Sequence, residues 1–256
     1  LPLHDALPIY ELIAAVLIMA ESHLALEDPA AAREALAELS SAVIDDAATI
    51  LDVAHAYLAA EDPTTAELWL RRLTSGQPAE RDGGDQGGEA IDATIAADAW
   101  HAIGQCREAK GDRDGMIHAW RETRRLDAAL PPPALSLSDD ELEEIATSAL
   151  QELPAEVHAH LANVPILVDD LPGEHLVQDG WDPRLLGIFE GTPLPEQSAV
   201  GGAASVTTIH IYKTNLERFV GDDRAALVDE IRITILHETA HYFGLDDDDL
   251  AKLGLD

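Results

Sequence analysis

His237-Glu238-Thr239-Ala240-His241 is the stretch of this 256-residue chain whose residue types and spacing are best suited to chemistry. Two histidines four positions apart lie on one face of a helix, one turn apart, where their ring nitrogens can converge on a single tetrahedral zinc ion. Glu238 follows the first histidine and is positioned to hydrogen-bond water at the ion rather than to bind the ion itself. Such a pentapeptide also arises by chance, so its surroundings carry weight. Gly244 stands three residues beyond His241, and a glycine there can take the left-handed conformation that stops a helix and turns the chain back. A residue just past the turn then comes near the metal. Asp246, Asp247, Asp248 and Asp249 all follow, each weighed against an ordinary solvated acidic tail.

The elements that must hold these residues can be read from periodicity. Residues 222–243 are expected to form a long amphipathic helix, with acids at its start as the helix dipole prefers. Ser138-Asp139-Asp140-Glu141 matches a capping box and opens a helix expected to run to about Glu152. The segment VPILVDD (164–170) reads as a strand before a turn, and VTTIHIY (206–212) as a second, β-branched strand. WDPRLLGIFEGTPLP (181–195), punctuated by Gly and Pro, reads as loop with one helical turn. His210 lies in the second strand and reads as a surface or core histidine ahead of a ligand. Tyr212 and Tyr242 are read as packing residues ahead of oxyanion donors. Glu230 and Thr234 share the histidine face and either orient a ligand or face solvent.

The first half of the chain repeats itself. Glu27-Asp28-Pro29 with Ala32 and Leu36 returns as Glu61-Asp62-Pro63 with Ala66 and Leu70, a shift of 34 residues. Trp100-x-x-Ile103-Gly104, followed by Gly111-Asp112 and Trp120, supplies a third copy, displaced by a Gly-rich charged loop over residues 76–89. That period and the aromatic positions resemble tetratricopeptide repeats. The resemblance implies paired helices stacked as an all-α solenoid, serving as a peptide- or protein-binding groove or equally as a helical scaffold or oligomer contact. Pro131-Pro132-Pro133 ends the array, since consecutive prolines cannot continue a helix. The expected organisation is an artefactual leader over residues 1–9, helical repeats over 10–130, a linker over 131–137 and an α+β domain over 138–256.

The full string His237-Glu238-x-x-His241-x-x-Gly244-x-x-Asp247 resembles the extended metzincin pattern, with Asp where a third His is commoner. The only methionines are Met19 and Met116, so no Met-turn follows the string, and the chain stops soon after it. Together with the capped helix, the VPILVDD, LLGIFEGTPL and IHIY segments and the closing FGLDDDDLAKLGL, it is similar to the small zincin family of minimal metallopeptidase-like proteins. The resemblance implies a zincin-like fold, a sheet on two helices, with Zn2+ held by His237, His241 and Asp247. Asp246, Asp248 and Asp249 remain alternatives for the third position. It further implies hydrolysis of a peptide bond by metal-activated water with Glu238 as catalytic general base. An aspartate ligand adds negative charge and makes the water less acidic than three histidines would. In zincins an edge strand pairs with the peptide substrate, and VTTIHIY is the candidate here, against a purely structural strand. The rival reading is a repeat-based interaction module with a non-catalytic zincin-like domain; a structural zinc is disfavoured because closed sites use four protein ligands.

Composition narrows the partners. With 49 acidic against 16 basic residues the formal charge is −33, a surface that repels phosphate backbones and anionic lipids, so neither nucleic acid nor membrane is expected as a partner. A peptide or protein substrate is. The apolar run at residues 12–20 is too short to span a bilayer. Cys106 is the only cysteine, which rules out an internal disulfide or a thiolate cluster and suits a reducing cytoplasm; within an apolar helical pattern it reads as core. The 46% hydrophobic content suffices for two modest cores.

Overall fold

Helix pairs occupy the first half of the chain, and each pair is closed by the same turn. A computed structural model describes residues 9–74, 91–151, 153, 161, 164–194, 207–246 and 249. Residues 1–8 of the leader assigned to 1–9, the loop assigned to 76–89, and Asp247 and Asp248 lie outside the described residues, while Ile9 opens the first helix. The helices α1 (Ile9–Ala25) and α2 (Pro29–Ala37), α3 (Ala47–Ala59) and α4 (Pro63–Thr74), and α5 (Ala93–Ala109) and α6 (Arg113–Ala129) form three hairpins, with a short 3-10 turn after α2. At the bend of each stands a residue with left-handed backbone: Glu27 (φ 56°), Glu61 (φ 59°) and Gly111 (φ 70°). An aspartate follows and caps the second helix, Asp28 accepting from Ala31 N at 3.0 Å, Asp62 from Thr65 N at 3.0 Å and Asp112 from Gly115 N at 3.1 Å.

Leu12, Val16, Leu36, Val53, Tyr57 and Leu70 build the core of these hairpins. Gly104 of α5 lies against the Trp120 indole of α6, where a Cβ would overlap the ring, which gives the tryptophan-to-glycine pattern a packing cause. Cys106 is buried in the same core, and burial pushes its thiol up to about 11, far from a nucleophile's range. Glu67 of α4 is buried among Arg71, Arg107 and Lys110, with the Arg71 Nη2 contact at 2.9 Å. Burial pushes its carboxyl up, but the hydrogen bonds from Lys110, Arg107 and Arg71 outweigh this and hold it below the ordinary glutamate value.

By contact the chain divides into a first unit, Leu1–Leu130 with Val177–Gly180, and a second, Pro131–Leu176 with Trp181–Asp256. The second unit is α+β. It holds α7 (Asp139–Gln151), β1 (Ile166–Asp169), the start of α8 (Glu174–Asp179), β2 (Gly187–Glu190), β3 (Thr208–Tyr212), α9 (Lys213–Val220) and α10 (Arg224–Tyr242). Ser138 and Glu141 form the capping box of α7: Ser138 N donates to Glu141 Oε2 at 2.9 Å and Glu141 N to Ser138 Oγ at 3.3 Å. Arg224 at the start of α10 reaches Glu141 at 2.7 Å and ties the two helices.

The sheet order is β1-β3-β2, with β1 parallel to β3 (Ile166 opposite Ile209) and β2 antiparallel to it (Ile188 opposite His210). Ile209 and Ile211 of β3 enter a core with Leu227, Ile231 and Ile235 of α10 and Leu142 and Ala146 of α7, while His210 between them faces the other side of the sheet. Two expectations are corrected here. A third strand, β2, occupies the segment read as loop, and the VTTIHIY strand is central rather than an edge. Among the described residues no helix is long and apolar enough to cross a membrane.

Candidate metal centre

Asp223 starts α10 by accepting from Ala225 N at 2.9 Å and Ala226 N at 3.1 Å, relieving donors that the first turn leaves without helical partners. Leu227, Ile231 and Ile235 then anchor the helix in the core, and this fixes the rotation that presents His237, Glu238 and His241 to a cleft of about 610 Å³. His237 Nε2 and His241 Nε2 stand 3.0 Å apart. Two nitrogens bound to one tetrahedral zinc at its usual bond length are separated by about 3.3 Å, so the spacing of the pair is compatible with both reaching one ion.

The helix end contributes to the site. Gly244 has φ 83°; its N–H donates to His241 O at 2.9 Å and the next, Leu245 N–H, to Ala240 O at 3.1 Å. This is the paired bonding of a glycine-terminated helix, and it turns Leu245 O back onto His241 Nδ1 at 3.0 Å. A carbonyl only accepts, so Nδ1 carries the proton and Nε2 is the nitrogen with the lone pair. A ligand histidine needs that tautomer and that orientation.

Glu238 is 7% exposed and lines the same cleft. It packs beside Thr234 against β2, and Gly187 makes the approach possible. A Cβ at Gly187 would stand 2.8 Å from Thr234 Cγ2, 3.0 Å from His210 O and 3.1 Å from Glu238 Cγ, closer than a strand with a side chain there tolerates. Glu230, earlier on the same helix, is half-buried, and burial alone pushes its carboxyl up. β2 is the strand that borders the cleft, through Gly187, Ile188 and Phe189, and within the described sheet it is an edge.

Of the four aspartates after the turn, Asp246 lines the cleft, and its Oδ1 accepts from Asp249 N at 3.0 Å. Asp247 lies outside the described residues, among which no group of three or more His, Cys, Asp or Glu is arranged to hold a metal. The described part of the candidate centre is therefore the histidine pair with Glu238 beside it. His210 is not part of it: its Nδ1 is 2.9 Å from Asp169 and its Nε2 3.4 Å from Glu190, beside a separate pocket of about 210 Å³. Tyr212, 1% exposed, borders that pocket, and its hydroxyl is pushed well up by burial and then by Glu190, Asp169 and Glu238. Tyr242 is buried between Phe189, 5.8 Å between ring centres, and Phe243 at 5.1 Å. Neither tyrosine lines the cleft.

Sequence reasoning passed over Gly187, Trp181 and Asn215. The glycine inside an Ile-Phe run was the available signal for the first, because a glycine within a strand pattern marks close backbone approach. Asn215 donates from Nδ2 to the Pro183 and Leu185 carbonyls, 32 and 30 positions away, and leaves no local trace in the sequence.

No curated protein matches the chain. Residues 161–255, the segment that contains the sheet, the histidine pair, Glu238 and the Gly244 turn, match the family model described as zincin-like metallopeptidase.

Proposed function

We propose that residues 138–256 form a zinc-dependent peptidase domain that hydrolyses a peptide bond, with His237, His241 and Asp247 holding the ion and Glu238 as general base. The observation that carries this reading is the 3.0 Å convergence of the two Nε2 atoms beside a buried carboxylate in one cleft. Zinc, when bound, supplies a Lewis acid that polarises a carbonyl and acidifies water. Glu238 takes the proton of the attacking water and delivers it to the departing amine nitrogen, so that acid and amine are the products. The Leu245 carbonyl keeps His241 in the ligating tautomer, and the edge of β2 offers backbone donors and acceptors to an extended peptide. For the first unit we propose tetratricopeptide-like repeats that bind a protein partner, supported by the 34-residue shift and by the turn common to its three hairpins.

The test is elemental analysis of the full chain with cleavage of a broad peptide mixture. Close to one zinc per chain is expected, with strong losses in His237→Ala and Asp247→Asn and peptide cleavage only in the loaded protein. Equal zinc in wild type and His237→Ala would remove the centre, and a zinc-loaded wild type that cuts no peptide would remove the activity.

A further inference from the structure

Resting on the peptidase reading of this cleft, we infer that it selects peptides carrying a bulky apolar side chain next to the scissile bond and basic residues around it, with Trp181 as the specificity-determining contact. Three observations lead there. The first is the wall chemistry. Trp181, Leu185, Phe189, Pro193 and Leu245 line the cleft beside His237, His241 and Glu238. Trp181 is 49% exposed, a large aromatic surface left open to solvent at the mouth of a polar centre. Sites for ligands generally pair mostly apolar walls with a few convergent polar groups within about 300–1,000 Å³, and the 610 Å³ here falls inside that span.

The second observation is that the wall is built in advance. Asn215, 4% exposed on α9, donates from Nδ2 to Pro183 O at 2.9 Å and Leu185 O at 2.8 Å. Trp181 N donates to Leu176 O at 3.0 Å, Arg184 N to Asp182 Oδ1 at 2.7 Å and Tyr212 N to Leu186 O at 2.8 Å. The backbone that carries Trp181 and Leu185 is thus tied to α9, β3 and Leu176. A wall whose backbone is held gives up less conformational freedom on binding than a loose loop would.

The third is charge. Among the described residues lining the cleft, Glu238 and Asp246 are acidic and none is Lys or Arg, on a chain of formal charge −33. An acidic peptide meets repulsion on approach and at the mouth, and a basic one meets attraction that salt screens. The occupant that satisfies both the walls and the field is an apolar anchor with Lys or Arg neighbours.

The experiment uses full-length, zinc-loaded wild-type protein, which keeps both lining acids, and four peptides of equal length with a reduced, non-hydrolysable bond beside the central residue so that binding is read without turnover: Phe or Ala at the centre, flanked by Lys or by Glu. Affinity is measured by titration calorimetry at low and high salt. The Phe-centred, Lys-flanked peptide is expected to bind at least about tenfold more tightly than its Ala-centred counterpart. It is also expected to bind about tenfold more tightly than the Glu-flanked one, the latter gap narrowing as salt rises. Adding Trp181→Ala should abolish the Phe preference while leaving the flank preference, and Trp181→Phe should restore most of it. Equal affinities for Phe and Ala centres, or a Phe preference untouched by Trp181→Ala, overturns the inference. Parallel cleavage by wild type separates the two readings: selective binding with no cleavage keeps this inference and removes the peptidase, whereas unselective cleavage does the reverse.

Discussion

Glu67 in the helical unit and Glu238 in the sheet-bearing unit are buried to nearly the same degree, 5% and 7% exposed, yet their surroundings are opposite. Glu67 is met by Arg71 and Arg107 and by Lys110, a cluster that joins α4 to α5 and leaves the carboxylate committed to packing. Glu238 stands in an open cleft beside two histidines whose lining carries no Lys or Arg among the described residues. A buried acid is thus no mark of a site in itself; Glu67 sits among three cations of its own unit, whereas Glu238 lines a cleft beside two histidines.

That contrast can be broken most severely by swapping each acid for its amide. Glu238→Gln should lower turnover by roughly two to four powers of ten, the usual size of a lost general base, while zinc content and melting temperature stay near wild type. Glu67→Gln should do the opposite, leaving turnover per folded molecule unchanged and costing about 2–4 kcal/mol of stability. This is somewhat less than for fully enclosed pairs because its cationic partners reach solvent. Calorimetry and kinetics on both variants decide it, and a Glu67→Gln protein that melts normally but has lost activity would erase the distinction.

The same pair predicts a pH signature. Because the folded Glu67 carboxyl is held below its ordinary value, its contribution to stability is complete above about pH 4.3 and is lost as the pH falls through the lower folded value. Acid melting curves of wild type should therefore approach those of Glu67→Gln as the pH is lowered below 4, and parallel curves throughout would contradict the ionised assignment.

A smaller effect tests the turn. The left-handed bends of the first unit accept Glu27 and Glu61, whereas the bend after α10 is Gly244 and feeds a carbonyl to His241. Gly244→Ala should weaken zinc affinity by about 10–100-fold, the usual cost of losing a ligand's orienting partner, with little change in the helical unit. Metal competition with a chelator reads this directly; unchanged affinity would mean that the Leu245 carbonyl is incidental.

How much of this was legible beforehand follows from how local each cause is. The histidine pair and the stop after it depend on helix pitch and one glycine, so spacing alone located them. The capping box at Ser138 and Glu141 and the aspartate caps at Asp28, Asp62 and Asp112 are equally local. Sheet order is not. VTTIHIY carries the strongest β pattern because it is flanked on both sides, yet that pattern is silent about which strands flank it. β2 was hidden by Gly187, whose missing side chain resembles a loop signal until the Thr234 and Glu238 side chains are seen against it. The division of roles between Asn215 and the 181–186 segment needed tertiary contacts from the start.

Gly187 also separates what is variable from what is fixed. β2 approaches Glu238 at Gly187, where the strand has only backbone to offer, while Trp181 and Leu185 contribute side chains to the cleft. The wall side chains and the strand's approach to Glu238 therefore belong to different positions of the sequence, and either can be substituted separately. On the proposed peptidase reading, the arrangement would make the domain a chassis on which selectivity can be retuned without rebuilding the chemistry.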